Sequence, residues 1–221
     1  MQTATEFFDE KAADWEATCY PPPVRARLAD VMGQFRLTAG ARVLDIGTGT
    51  GVLLPYIQAA IGPDGRICAF DRSLPMVRQA DRKRRWFRDL VVQNDVHHIP
   101  LRDNCFDHVV CFAAFPHFDH PELALAEMRR VAAPDGEVVI AHLLSREELA
   151  THHATHTAVH GHGLPAARRM CALMQAAGLV HCRIVDRPGR YLARGKKPLT
   201  PGMSSSENTQ AAACPSISTG E

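Results

Sequence analysis

Val43-Leu44-Asp45-Ile46-Gly47-Thr48-Gly49-Thr50-Gly51 is the stretch whose reading decides the fold. Branched apolar residues around one acid read as a buried strand. Three glycines at alternate positions then lead into Val52-Leu53-Leu54, an apolar segment that opens a helix. Strand, tight turn and helix start follow one another without a gap. Glycine lets a backbone turn sharply, and lets a ligand approach where a Cβ would otherwise stand. The dinucleotide fingerprint G-x-G-x-x-G needs a glycine at the sixth position counted from Gly47, and Val52 stands there. The loop is therefore not spaced for a pyrophosphate.

Outward from this loop, apolar runs and helical periodicities alternate. Residues 42–46, 66–70, 90–93, 106–112 and 137–141 read as strands, and residues 52–61 and 165–177 as helices. Further helices start at Ser73, an N-cap, and at Asp119 or His120 before Pro121. Gly62-Pro63-Asp64-Gly65 and Pro134-Asp135-Gly136 are turns, and Gly178 stops a helix. Residues 179–185 and 191–193, joined by Arg187-Pro188-Gly189, have no helix between them and must pair as a hairpin. The pattern predicts an α/β, Rossmann-like, seven-stranded and mostly parallel sheet with an antiparallel edge hairpin. Residues 6–37 read as helical, interrupted by Pro21-Pro22-Pro23. Lying before the first strand, they are expected to form an N-terminal helical cap (1–39) over the sheet domain (40–195). Pro, Gly, Ser, Thr and Asn dominate from residue 196 onward, which predicts a disordered tail (196–221).

The 221 residues carry 25 basic and 24 acidic side chains, a net charge of +1. That balance argues against a nucleic-acid partner. The run Arg82-Lys83-Arg84-Arg85, with Arg88 after it, is the local exception and reads as a solvated helix face. No apolar run is long enough to span a bilayer, and no signal peptide is read at the N-terminus. Seven scattered cysteines without a C-x-x-C pair read as reduced thiols, so a cytoplasmic location is expected.

Ligands of open α/β sheets sit beyond the carboxyl ends of the strands. The glycine loop, with Thr48, falls there. So does Asp71, about 20 residues past the glycine turn, where an acid can accept both ribose hydroxyls. Asp95 follows the third strand and Cys111 closes the fourth. The pattern D-x-G-x-G-x-G resembles the first motif of class I S-adenosylmethionine (SAM) methyltransferases. Phe106-Asp107-His108-Val109-Val110 and the stretch from Leu125 to Gly136 resemble the "FDxVV" and "ExxRVLKPGG" stretches of small-molecule methyltransferases of the ubiquinone/menaquinone-biosynthesis type. Asp135 departs from that pattern, where a glycine is usual. The resemblance covers roughly residues 40–195 and implies SAM as cofactor. It implies that Asp45, Gly47, Thr48, Gly49, Gly51, Asp71 and Arg72 hold it. It further implies that Asp95 meets the adenine amino group with Val96 beside the ring, and that Cys111 to Ala114 pass its methionine end.

The acceptor is less determined. No D/N-P-P-Y/F follows the fourth strand, where Ala113-Ala114-Phe115-Pro116-His117 stands, which argues against exocyclic amino groups of nucleobases or glutamine. Six of the twelve histidines fall between His142 and His162. His117 and His142, both just past strand ends, are the candidate catalytic residues, as a general base or as ligands of a metal or metalloid acceptor. His153, His156 or His160 could reach over from a lid. The expected activity is methyl transfer to a small molecule beneath the cap. A non-catalytic SAM- or metal-binding sensor or scaffold is the alternative, and an RNA or protein methyltransferase using the basic run a third. Oligomeric state is not readable.

Overall fold

The computed structural model describes residues 3–84, 89–154, 159 and 161–199. Seven strands form one sheet in the order β3-β2-β1-β4-β5-β7-β6. They are β1 (Arg42–Ile46), β2 (Arg66–Asp71), β3 (Leu90–Gln93), β4 (Phe106–Phe112), β5 (Ala132–His142), β6 (Val180–Arg187) and β7 (Arg190–Lys196). The first five pair in parallel, and β7 runs antiparallel to both β5 and β6. The chain steps outward from β1 to β2 and β3, then crosses to β4 on the other side. The switch point thus lies between β1 and β4, and a crevice opens there.

The central strands are apolar on both faces because both faces are covered. Leu44, Ile46, Val109, Cys111, Val138 and Ile140 point to one side and pack with Leu125, Met128 and Val131 of α6 (Pro121–Val131) and Met170, Leu173 and Met174 of α8 (Ala167–Ala176). Val43, Val110, Val139 and Ala141 point to the other, against α3 (Pro22–Gly33) and α4 (Leu54–Ile61) through Leu28, Val31, Ile57 and Ile61. The guanidinium and backbone N–H of Arg42 together grip the Asp107 carboxylate, at 2.6, 2.8 and 3.1 Å, and pin β1 beside β4.

Three boundaries differ from the sequence reading. The N-terminal region is three helices, α1 (Ala4–Lys11), α2 (Trp15–Cys19) and α3. Pro22 opens α3, since proline is tolerated in a first turn. β5 begins at Ala132 rather than 137: Ala132 pairs with Phe106, and the register shifts before Glu137 pairs with His108, so Pro134-Asp135-Gly136 is an irregularity within the strand rather than a turn before it. Arg82, Lys83 and Arg84 of the basic run are not a helix face: α5 (Leu74–Asp81) ends before them. A further helix, α7 (Arg146–His153), starts with a Ser145–Glu148 capping box. The tail expected over 196–221 does not begin there: Lys196 ends β7, and Lys197 is buried with its Nζ on the Asn104 side chain and the Arg130 and Ala132 carbonyls. Residues 200–221 and Arg85, Arg88, His156 and His160 lie outside the described residues. Among the described residues no helix is long and apolar enough to cross a membrane.

Asp135 sits at φ +60°, the left-handed conformation, which is why glycine suits this position. Its carboxylate partly compensates by taking Lys196 Nζ at 2.9 and 3.0 Å on the surface. Left-handed strain costs about 1–2 kcal/mol, and an exposed ion pair returns about 0–1 kcal/mol. Asp135→Gly is therefore expected to raise unfolding stability in urea by up to about 1 kcal/mol. A loss larger than that would show that the Lys196 pair matters more than the backbone.

Candidate functional site

A cavity of about 680 Å³ opens at the carboxyl ends of β1, β2, β3 and β4, within the span of small-molecule sites. Its floor is the glycine loop. Gly47, Gly49 and Gly51 all have positive φ, at +66°, +55° and +74°. The demand differs at each. A Cβ on Gly47 would stand 2.3 Å from that of Ala114, and one on Gly51 would meet Ala80 and Leu54 within 3.0 Å. A Cβ on Gly49 would meet nothing within 4 Å. Gly47 and Gly51 are required by packing, whereas Gly49 leaves its cavity side bare. Gly51 itself does not line the cavity; Thr50 and Val52 on either side of it do.

Asp71 ends β2 and fixes the loop. Its Oδ2 accepts the Gly49 N–H at 2.8 Å, and its Oδ1 accepts the Ser73 N–H at 2.9 Å. Each oxygen keeps a second lone pair for a ligand hydroxyl. Burial raises the pKa of this carboxyl, opposed by those backbone bonds. Asp45 lies deeper. Burial pushes it up to about 7, against the Thr48 hydroxyl that donates to its Oδ2 at 2.7 Å. A cationic ligand would draw it back toward the carboxylate.

Asp95 is held by a residue that the sequence reading did not single out. His97 Nε2 accepts the His120 N–H at 3.3 Å, so its Nδ1 carries the hydrogen and donates to Asp95 Oδ1 at 2.6 Å. The His97 N–H adds a second bond to the same oxygen at 2.9 Å. Among the described residues Oδ2 faces only Arg72, at 3.9 Å, which also reaches Asp119 at 3.6 Å. Burial raises the Asp95 carboxyl, but the His97 bonds and the Arg72 charge outweigh it and hold it below its ordinary value. The D-x-H spacing was the signal that could have found His97.

Val96, Phe70, Phe112, Ala113 and Ala114 complete this wall. Cys111 does not line it: the thiol is buried inside the sheet, and burial pushes its pKa up. The residues just beyond β4 take that place, with Ala113 strained at φ +56°.

The opposite wall comes from the N-terminal helices. Thr3, Glu6 and Phe8 of the α1 segment, Trp15 of α2 and Tyr20 all reach the cavity. Phe8 stands edge-on to Trp15 at 5.5 Å and to the His117 ring at 5.0 Å. Lys83 ties this layer to the loop, donating to Glu16 and, at 2.7 Å, to the Thr50 carbonyl. Glu16 also takes Arg25 at 3.0 Å.

His117 and His162 line the cavity, with Nδ1 atoms 3.0 Å apart. Burial, then the neighbouring His153, His162 and His142, bring His117 down to about 3, so it is neutral. His142 is not on the cavity wall. Its Nδ1 accepts the Leu144 N–H at 2.9 Å, and burial and nearby imidazoles bring it down to about 4. Among the described residues no group of three or more His, Cys, Asp or Glu is placed to hold a metal ion.

Residues 44–140 match the family described as "Methyltransferase domain". The chain is 37% identical over 119 residues to a "Ubiquinone/menaquinone biosynthesis C-methyltransferase UbiE" of Burkholderia multivorans, covering 52% of this chain and 49% of that protein. It is 36% identical, over the same shares, to its counterpart in Burkholderia thailandensis. The chain thus spans about half the length of the curated relatives it matches. A SAM-dependent methyltransferase of Aquifex aeolicus superposes with a TM-score of 0.68 at 25% identity, over 85% of this chain and 97% of that one. A chain from the complex of the Haloferax volcanii Trm112 methyltransferase activator with a methyltransferase shares the fold, with a TM-score of 0.74 at 21% identity over 86% and 97%. Residues 44–140 thus carry a methyltransferase domain similar to that of the UbiE proteins and to the Aquifex SAM-dependent methyltransferase.

The two loop glycines are expected to part under substitution. Gly47→Ala combines left-handed strain with overpacking and should cost about 2–5 kcal/mol in urea unfolding. Gly49→Ala should cost only the strain, about 1–2 kcal/mol, while its methyl fills the bare side of the loop. Equal losses would mean that Ala114 moves aside.

Proposed function

We propose that this chain transfers a methyl group from SAM to a small, neutral, largely apolar molecule held between the glycine loop and α1. The observation that carries this reading is the pairing of walls. One wall offers a bare loop, an oriented Asp71 and an Asp95 with one oxygen free of close bonds. The other offers Phe8, Trp15, Tyr20 and the neutral His117.

The residues fit SAM. Asp71 would take the ribose hydroxyls on its two remaining lone pairs, and Asp95 Oδ2 the adenine amino group, with Val96 beside the ring. Phe112 to Ala114 would follow the amino-acid end. Bound SAM supplies an electrophilic methyl on a sulfonium, and the acceptor displaces it in line. The chain's contribution is to position the two partners and exclude water. The acids Asp45, Asp71, Asp95, Asp119 and Glu6 face the cavity, and among the described lining residues Arg72 is the one Lys or Arg. That field favours a cationic cofactor and disfavours an anionic acceptor, which counts against RNA. Lys83 and Arg84 of the basic run are turned to Glu16, Thr50, Asp81 and Asp89. His117 is the candidate base at the acceptor, and His142 acts on it electrostatically from behind the wall. The names of the UbiE relatives support a carbon atom as the methylated centre.

Incubation with methyl-tritiated SAM and fractions of a bacterial extract should place label in the organic-soluble small molecules. Label confined to RNA or protein, or none at all, would reject the reading. In calorimetry SAM and S-adenosylhomocysteine should bind and NAD should not. Asp71→Ala should weaken SAM by about 1.5–3 kcal/mol, the scale of hydrogen bonds to a charged group.

The α1 cap is expected to close on the cofactor. Amides of residues 4–11 should exchange more slowly with S-adenosylhomocysteine present than without it. Unchanged exchange there, alongside protection of the glycine loop, would separate the cap from the site.

A further inference from the structure

A methyl acceptor that carries a hydrogen leaves a proton behind, beside a ring that the bound acceptor itself would cover on the cavity side. His117 is enclosed by Phe8 of α1, by His153 of α7, by His142 at the end of β5 and by His162. A lone imidazolium at that position would be a buried charge among three other imidazoles. The structure supplies an alternative location for the charge. His162 is partly exposed, on a segment between the exposed Gly161 and Gly163, and its Nδ1 is 3.0 Å from that of His117.

The hydrogen-bond pattern restricts the tautomers. A carbonyl only accepts, so His153 Nδ1, 2.7 Å from the His162 carbonyl, carries a hydrogen and anchors the His162 backbone. Between His117 and His162 one Nδ1 must carry the hydrogen and the other the lone pair. His117 Nε2 has no hydrogen-bond partner among the described residues, on a ring that lines the cavity.

We propose that His117 and His162 form a proton relay that carries the acceptor's proton from the cavity to solvent. The proposal rests on the methyltransferase reading. At rest His117 holds its hydrogen on Nδ1, donated to His162 Nδ1, and presents the Nε2 lone pair to the acceptor. As the acceptor atom bonds to the methyl carbon, the carbon–sulfur bond breaks and its electron pair stays on sulfur. The acceptor's X–H bond breaks and its proton passes to His117 Nε2. The Nδ1 hydrogen of His117 moves to His162 Nδ1, and His162 gives its Nε2 proton to water. The net products are the methylated acceptor, the neutral thioether and one solvated proton. After product release, His117 gives its Nε2 proton to water entering the cavity, the Nδ1 hydrogen of His162 returns to His117 Nδ1, and His162 takes one proton from solvent on Nε2, so the reset releases no net proton and both rings regain their resting tautomers. His162 is thus a second acid–base residue, and His153 a positioning residue that acts through its carbonyl bond.

The test uses the full chain, labelled with ¹⁵N-histidine and saturated with S-adenosylhomocysteine, in ring-nitrogen NMR across a pH titration. The relay predicts a protonated Nδ1 and a bare Nε2 on His117 and a bare Nδ1 on His162. A resting Nε2–H on His117, or an Nδ1–H on His162, overturns it. In the tritiated-methyl assay His162→Ala should lower labelling about tenfold, and added imidazole should restore it. Equal labelling by the two proteins overturns the relay. Failure of the wild type to bind S-adenosylhomocysteine would instead overturn the methyltransferase reading itself.

Discussion

The site depends on how one carboxylate is used. Asp71 accepts a backbone N–H from Gly49 on one oxygen and from Ser73 on the other. The first bond holds the loop after β1 against the end of β2. The second opens α5, where the Ser73 side chain takes over as cap at 3.3 Å from the Met76 N–H. Two adjacent βα turns are thus tied at one point. The same oxygens are the ones a ribose would meet, so the residue that would bind cofactor is also the one that shapes its bed. Replacing Asp71 removes both functions, and its effect on binding includes a loosened loop.

Around that point the cavity is electrically one-sided. Asp45 and Asp71 are acids whose burial favours the neutral form, and they stand beneath a loop open to a ligand. A cation entering there recovers the charged forms and is attracted in return. The opposite wall carries Phe8, Trp15 and Tyr20 beside the Glu6 carboxylate, and His117 there is neutral because burial and its imidazole neighbours disfavour its charged form. On the proposed reading, a cationic donor and an uncharged acceptor would be sorted to different walls by the same low-dielectric interior. The cap layer is attached through Lys83, which bridges Glu16 and the Thr50 carbonyl, so the aromatic wall and the loop are joined by a charged contact.

Much of this was legible in the chain because it is local. The glycine loop, Asp71 and Asp95 each follow directly on an apolar run, and a strand end fixes where such residues fall. Cys111 was misplaced because the strand buries it in the sheet, and the wall is built by the next three residues instead. The early start of β5 was hidden by Pro134-Asp135-Gly136, which reads as a turn yet lies inside the strand at a register shift, with Asp135 in a left-handed conformation. His162 was read only as one of the clustered histidines, with no sign of its partner. Its approach to His117 depends on where α7 ends and on the His153 bond to its carbonyl, a tertiary arrangement that no spacing encodes. His142 was correctly placed at a strand end, but its Nδ1 is taken by the turn that follows it and it does not line the cavity.

A crystal structure of the chain with S-adenosylhomocysteine tests the central claim most directly. The account predicts the ribose hydroxyls on Asp71, the adenine amino group on Asp95 Oδ2, and the thioether sulfur facing the wall formed by Phe8 and His117. A ligand bound elsewhere, or one whose sulfur is walled off from Phe8 and His117, would contradict it.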